Sequence, residues 1–249
     1  MNARSSSKNL PAVREGADDD PSAAAKALSQ ILERSTRLQA PAVTAYVERL
    51  RRQRPDATPA EIIASLEKHY LAAVMASGAA VGSAAAFPGI GTLVAMSAVA
   101  GETLVFLEAT AVFVLAVAEV HGIPADHRER RRALVLAVLV GEDGKRAVAD
   151  LIGTGRTGGG WLADGAASLP LPAVSQLNGR LLKFFVKKYA LKRGAIAFGK
   201  LLPVGIGAVV GGVGNRAMGK KIISNSRSAF GNPPPRWPAT LHVLRGLEQ

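Results

Sequence analysis

The chain has no cysteine, which excludes disulfides and thiolate metal sites and fits a cytosolic or cytosol-facing protein. Aromatic residues make up only 5%, so base-stacking platforms for single-stranded RNA are disfavoured. Histidines number four, and neither His121 nor His127 has ligand-like neighbours in the sequence. No paired carboxylates, nucleophile–base arrangement or metal-ligand spacing stands out, so the chain reads as non-enzymatic, with no catalytic residue, cofactor or metal expected. The first twenty residues lack the apolar core of a secretory signal and carry three consecutive acids, Asp18–Asp20; a cytoplasmic, disordered tail over 1–20 is expected.

Charge is missing where it matters most. Between Tyr70 and Gly101 there is no Asp, Glu, Lys, Arg or His, and from Thr103 to Ala118 only Glu108 interrupts an apolar run. The first part is rich in Ala, Gly and Ser rather than Leu, Ile and Phe. Phe87-Pro88-Gly89-Ile90-Gly91-Thr92 is a breaker, because proline ends the preceding helix and the glycines free the backbone. The pattern predicts a helical hairpin over 71–120, its second helix running from Leu93 to Val120 and stopped by His121-Gly122-Ile123-Pro124. Leu71–Ala86 reaches about 24 Å as a helix, short of the roughly 30 Å of a bilayer's hydrocarbon. Three readings follow: a pair of transmembrane helices, a re-entrant or surface-embedded hairpin, or the buried core of a soluble helical domain. Arginines on both flanks (Arg49, Arg51, Arg52 and Arg54 before; Arg128 and Arg130–Arg132 after) suit both ends lying on the cytoplasmic side. Glu102 and Glu108 would then need burial against a cation, or protonation. Gly78 and Gly82 give a spacing that lets two helix backbones approach.

What the chain has in excess is positive charge, +12 net over 249 residues. Anionic membrane lipid is the partner this favours; a protein partner comes second, nucleic acid rests on charge alone, and nothing indicates a small-molecule substrate. Amphipathic helices are expected over 22–39 and from Pro41 to about Arg54. Thr58-Pro59-Ala60-Glu61 is a capping box that starts a third helix carrying Ile62, Ile63, Leu66 and Tyr70 into the hairpin. Asp126 is placed to cap a helix whose apolar block, Ala133–Val140, is too short to span a membrane. The glycine-rich stretch Thr154–Gly165 lacks a Gly-Lys-Ser/Thr ending, so a linker over 153–172 is expected rather than a phosphate loop. A basic amphipathic helix over 176–193 puts Leu182, Phe185, Val186 and Tyr189 on one face and Arg180, Lys183, Lys187 and Lys188 on the other.

A second Pro/Gly-broken hairpin is expected over 196–214, with Gly207 and Gly211 as helix-packing glycines. Asn215, with Glu102 and Glu108 a candidate buried polar residue, and Arg216 then open a basic helix end with Lys220 and Lys221, and 231–249 forms a Pro-rich tail in which Trp237 covers either a lipid interface or the core. The stretch Gly199–Arg216, GKLLPVGIGAVVGGVGNR, resembles the C-terminal signature of the EcsC family, and residues 60–230 more loosely resemble the rest of that family. The resemblance implies an α-helical, membrane-linked protein, and an accessory of a membrane transport or envelope system, integral or peripheral on the cytoplasmic side of the cell membrane, is the expectation. It brings no catalytic residues with it. The expected fold is all-α, a helical bundle with two Gly/Ala-rich, Pro/Gly-broken hairpins within an EcsC-like domain over 21–230. A soluble helical scaffold with both hairpins buried is the alternative.

Overall fold

The computed structural model describes residues 41–84, 92–123, 125, 127–152, 160–162, 169–199 and 206–238. The expected tail over 1–20, the helix over 22–39, the breaker at 87–91, the Asp126 cap and most of the glycine-rich linker lie outside those residues. Among the described residues the chain is all-α, with seven helices and no strand. They are α1 (41–53), α2 (Pro59–Ala84), α3 (Thr92–Val120), α4 (Arg128–Val140), α5 (Glu142–Ile152), α6 (Leu171–Gly199) and α7 (Ile206–Phe230).

Local chemistry sets several of these boundaries. The Thr58 backbone N–H donates to Glu61 Oε2 at 2.8 Å, and the Glu61 N–H donates to Thr58 Oγ1 at 3.3 Å, so the capping box forms in both directions. Those backbone and side-chain bonds to Thr58 hold the Glu61 carboxyl below its ordinary pKa. Ile62, Leu66, Tyr70 and Val74 then recur every four residues, and all are buried. At the end of α3, the Ile123 N–H donates to Ala118 O and the Gly122 N–H to Glu119 O. That pairing needs a left-handed residue at 122, where glycine sits at φ 68°. The helix stops where the sequence says it should.

α6 departs from expectation at its start. It begins at Leu171, five residues before the expected start, because Pro172 falls in the first turn, where a missing N–H costs no hydrogen bond. Its buried line is also rotated by one residue. Val174, Leu177, Leu181 and Phe185 face inward with Asn178, whereas Leu182 and Val186 are only half-buried. The rotation follows from the neighbours, since α6 lies against both α4 and α5. Asn215 and Arg216 likewise sit within α7 rather than at a helix start.

α4 is the centre of the core. Every residue from Ala133 to Val140 is buried, and α3, α5, α6 and α7 all pack on it. Its polar first turn is tied down on two sides: Asn178 Nδ2 donates to Glu129 Oε2 at 2.6 Å, and Arg130 Nη2 to Leu169 O at 3.1 Å. At the other end Asn225 Nδ2 donates to Val138 O at 2.9 Å, joining α7 to the last turn. The segment after α7 returns across the bundle. Trp237 Nε1 donates to Ala57 O at 3.1 Å, and Arg51 lies over the indole at 4.1 Å from its centroid. Of the two roles weighed for Trp237, covering the core is the one observed.

The apolar run of α3 is used inside the protein. From Val114 to Ala118 no side chain is more than 2% exposed. Tyr70 of α2 stacks on Phe113 with centroids 4.7 Å apart, and its hydroxyl meets Thr110 Oγ1 at 2.9 Å. Burial pushes the Tyr70 phenol well above its usual range. Among the described residues no helix is long and apolar enough to cross a membrane. The two-span reading of 71–120 is therefore set aside for those residues.

Candidate functional site

Three helices build the region that the sequence marks out. α2 runs antiparallel to both α3 and α7, and two polar contacts fix the alignment. Near the base, the Arg227 guanidinium grips Glu67 through Nε to Oε1 at 2.7 Å and Nη2 to Oε2 at 2.5 Å. Glu67 is only 9% exposed, so the pair supplies hydrogen bonds that its carboxylate would otherwise lose. Glu67, through hydrogen bonding first and charge second, raises the Arg227 pKa further.

Two turns further along α2, Asn215 Nδ2 donates to Val74 O and to Glu102 Oε1, both at 2.9 Å. One amide thus clasps α7, α2 and α3 at a single level. Glu102 is half-buried and held by an amide rather than by a cation. Glu108, expected to be buried, is exposed, because it lies on the side of α3 away from both partners. Between the two contacts, Gly219 of α7 is buried against α2; a Cβ there would sit 3.0 Å from both Leu71 Cδ1 and Val74 Cγ2. It is the close-approach glycine of this pair. Gly78 is also buried, whereas the surroundings of Gly82, Gly207 and Gly211 fall outside the described side chains.

Around and beyond the clasp the outer faces are apolar. Ala72, Ala73, Ala76, Ala79 and Ala80 of α2 are exposed. Leu104 and Val105 of α3 are 41% and 47% exposed, and Val213 of α7 is 61% exposed. Cations border this surface: Lys68 on α2, and Arg216, Lys220 and Lys221 on α7, are all exposed. A second basic face lies on α6, where Arg180, Lys183 and Lys187 are exposed and flank Phe184, itself 40% exposed. Lys188 falls outside the described side chains.

The polar contacts bear on which residues the sequence could reveal. Glu102 and Asn215 were both legible as polar residues inside apolar runs, and the structure joins them. Gly219 and the Glu67–Arg227 pair were not picked out. Gly219 had one usable signal, its position one turn after Asn215 on the same helix face. Glu67 and Arg227 are 160 positions apart and gave none. Among the described residues no group of three or more His, Asp or Glu side chains is placed to hold a metal ion. Compared with family models, curated proteins and solved structures, the chain matches none.

Proposed function

We propose that this chain is a non-enzymatic, membrane-associated helical protein of EcsC-like type. In this reading it docks on the cytoplasmic face of an anionic membrane and serves as an accessory to a membrane transport or envelope system. The observation that carries the reading is the pairing of surfaces. Leu104 and Val105 of α3 and Val213 of α7 are exposed near the level of the Asn215–Glu102 contact, and Arg216, Lys220 and Lys221 are exposed further along α7. Burial of apolar surface in the interfacial region and attraction of cations to anionic headgroups act together in such an arrangement. The face of α6 adds three more cations around Phe184.

A helical scaffold that receives another protein on these surfaces is the second reading, favoured by the complete burial of α3 from Val114 to Ala118. Flotation separates the two. The chain should rise with vesicles containing phosphatidylglycerol and stay down with phosphatidylcholine alone. The double change Lys183→Glu and Lys187→Glu should weaken partition by about tenfold or more, since each cation near such a surface contributes about 1 kcal/mol. Equal partition of the double variant would remove α6 from the interface, and failure of the unaltered chain to float would favour the scaffold.

A further inference from the structure

Resting on that lipid-binding reading, we infer that the outward face of α6 lies flat on an anionic bilayer, with Phe184 inserted among the headgroups as its anchor. Phe184 and Phe185 are consecutive, so on a helix they point about 100° apart. Only one of them can face the core. Phe185 does so, in line with Leu177 and Leu181, and Phe184 is left 40% exposed. Arg180, Lys183 and Lys187 are exposed on the same side of the helix. Measured around the axis from Arg180, Lys187 lies about 20° and Lys183 about 60° to one side, and Phe184 about 40° to the other. Four side chains thus share an arc of about 100° over about two turns, an aromatic ring beside three cations.

Two features separate this face from an ordinary solvated one. Arginines elsewhere are used within the protein: Arg51 lies over Trp237, Arg130 donates to Leu169 O, and Arg227 grips Glu67. Among the described residues Arg180, Lys183 and Lys187 have no such partner. In addition, α6 carries no Asp or Glu from Leu171 to Gly199, and Glu129 of α4 is engaged by Asn178 on the inner side of the helix. The face therefore has one sign of charge, and nothing on its own helix neutralises it. A bilayer offers anionic phosphates with hydrocarbon just beneath, so it answers the cations and the ring together. The lysine stems can lie along that boundary while their ammonium groups stay at phosphate level.

Charge and ring respond differently to salt. Attraction of the cations is screened as salt rises, whereas burial of the ring is not. Binding through this face should therefore keep a salt-resistant part that depends on Phe184.

The test is flotation of the full chain with phosphatidylglycerol-containing vesicles, at low salt and at about 1 M salt, where charge is screened beyond about 3 Å. Phe184→Ala alters an exposed side chain, so the fold should stand. Its partition should fall by about fivefold or more, and the binding that the parent keeps at high salt should be lost. Phe184→Trp should bind like the parent. Its emission, read as the difference from a parent that already holds Trp161 and Trp237, should shift to the blue on vesicles and be quenched by lipid spin-labelled near the headgroups. Unchanged partition of Phe184→Ala at both salt levels would overturn the anchoring role of α6, yet leave docking through Arg216, Lys220 and Lys221. A water-like Phe184→Trp difference spectrum on vesicles that carry the protein would do the same. Failure of the unaltered chain to float would overturn lipid binding itself, and this inference with it, and would assign the face to an acidic protein.

Discussion

α4 and the exposed face of α3 at Leu104 and Val105 are equally apolar and live in opposite surroundings. From Ala133 to Val140, α4 reads ALVLAVLV and is buried throughout, enclosed by four helices. Leu104 and Val105 of α3 belong to an equally apolar run and are 41% and 47% exposed. The change occurs within α3 itself, since Phe106 and Leu107 are already buried. Hydrophobicity sets what a segment gains from leaving water, but the number of neighbours decides how much of that gain folding takes up. In α4 the gain stabilises the fold. At Leu104 and Val105 folding leaves much of it untaken.

The largest expected effect tests the buried member of this comparison. Leu136 is fully buried, and Leu136→Ala should cost about 2–5 kcal/mol through lost transfer energy and a cavity. Val105→Ala, by contrast, should stay within roughly 0.5 kcal/mol in water. Urea unfolding of the two variants reads both numbers, and an equally large loss for Val105→Ala would mean that its face is covered by protein. The contrast should invert on vesicles, where Val105→Asp weakens partition and Leu136→Ala does not.

A smaller effect tests what holds α7 to α2. Arg227→Ala would leave the Glu67 carboxylate buried without its bidentate donor, at a cost of about 1–2 kcal/mol, because the arginine side of the pair is open to solvent. Glu67→Gln with Arg227→Ala should recover part of it, since the neutral amide is cheaper to bury than the carboxylate. A double variant as unstable as Arg227→Ala alone would show that packing of the arginine stem, rather than charge, is what matters.

The smallest effect concerns pH at the joint between α1 and α3. Burial first, and repulsion from Glu48 in addition, raise the Glu119 pKa above its ordinary value, against a hydrogen bond from Thr44 Oγ1 at 3.4 Å. A carboxyl whose folded pKa is raised holds its proton more tightly in the folded state. Its contribution is therefore favourable at low pH and lost as pH rises from the ordinary 4.5 through the raised value. Burial moves His121 the other way, so its contribution is lost as pH falls below its ordinary 6.5. Glu119→Gln should thus be slightly more stable than the parent near neutral pH and gain nothing at pH 4. Thermal melts across that range check the sign, and a variant less stable at neutral pH would show that the ionised carboxylate is favourably held.

Much of this architecture was decided by the sequence alone, because the forces involved are local. The capping box at Thr58 and Glu61 acts within four residues, as does the left-handed glycine at 122 that ends α3. The 3.6-residue period of Ile62, Leu66, Tyr70 and Val74 identifies a buried helix face without reference to its partner. Tertiary structure alone decided which apolar faces are covered and which polar residues meet. The buried line of α6 turned by one residue to face α4 and α5, and α3 became core over Val114–Ala118 but surface at Leu104 and Val105. Glu102 and Asn215 each look costly by themselves in an apolar run; 113 positions apart in the chain, they become one hydrogen bond only when α3 and α7 stand side by side. Such contacts depend on where distant helices pack, and no local propensity encodes that placement.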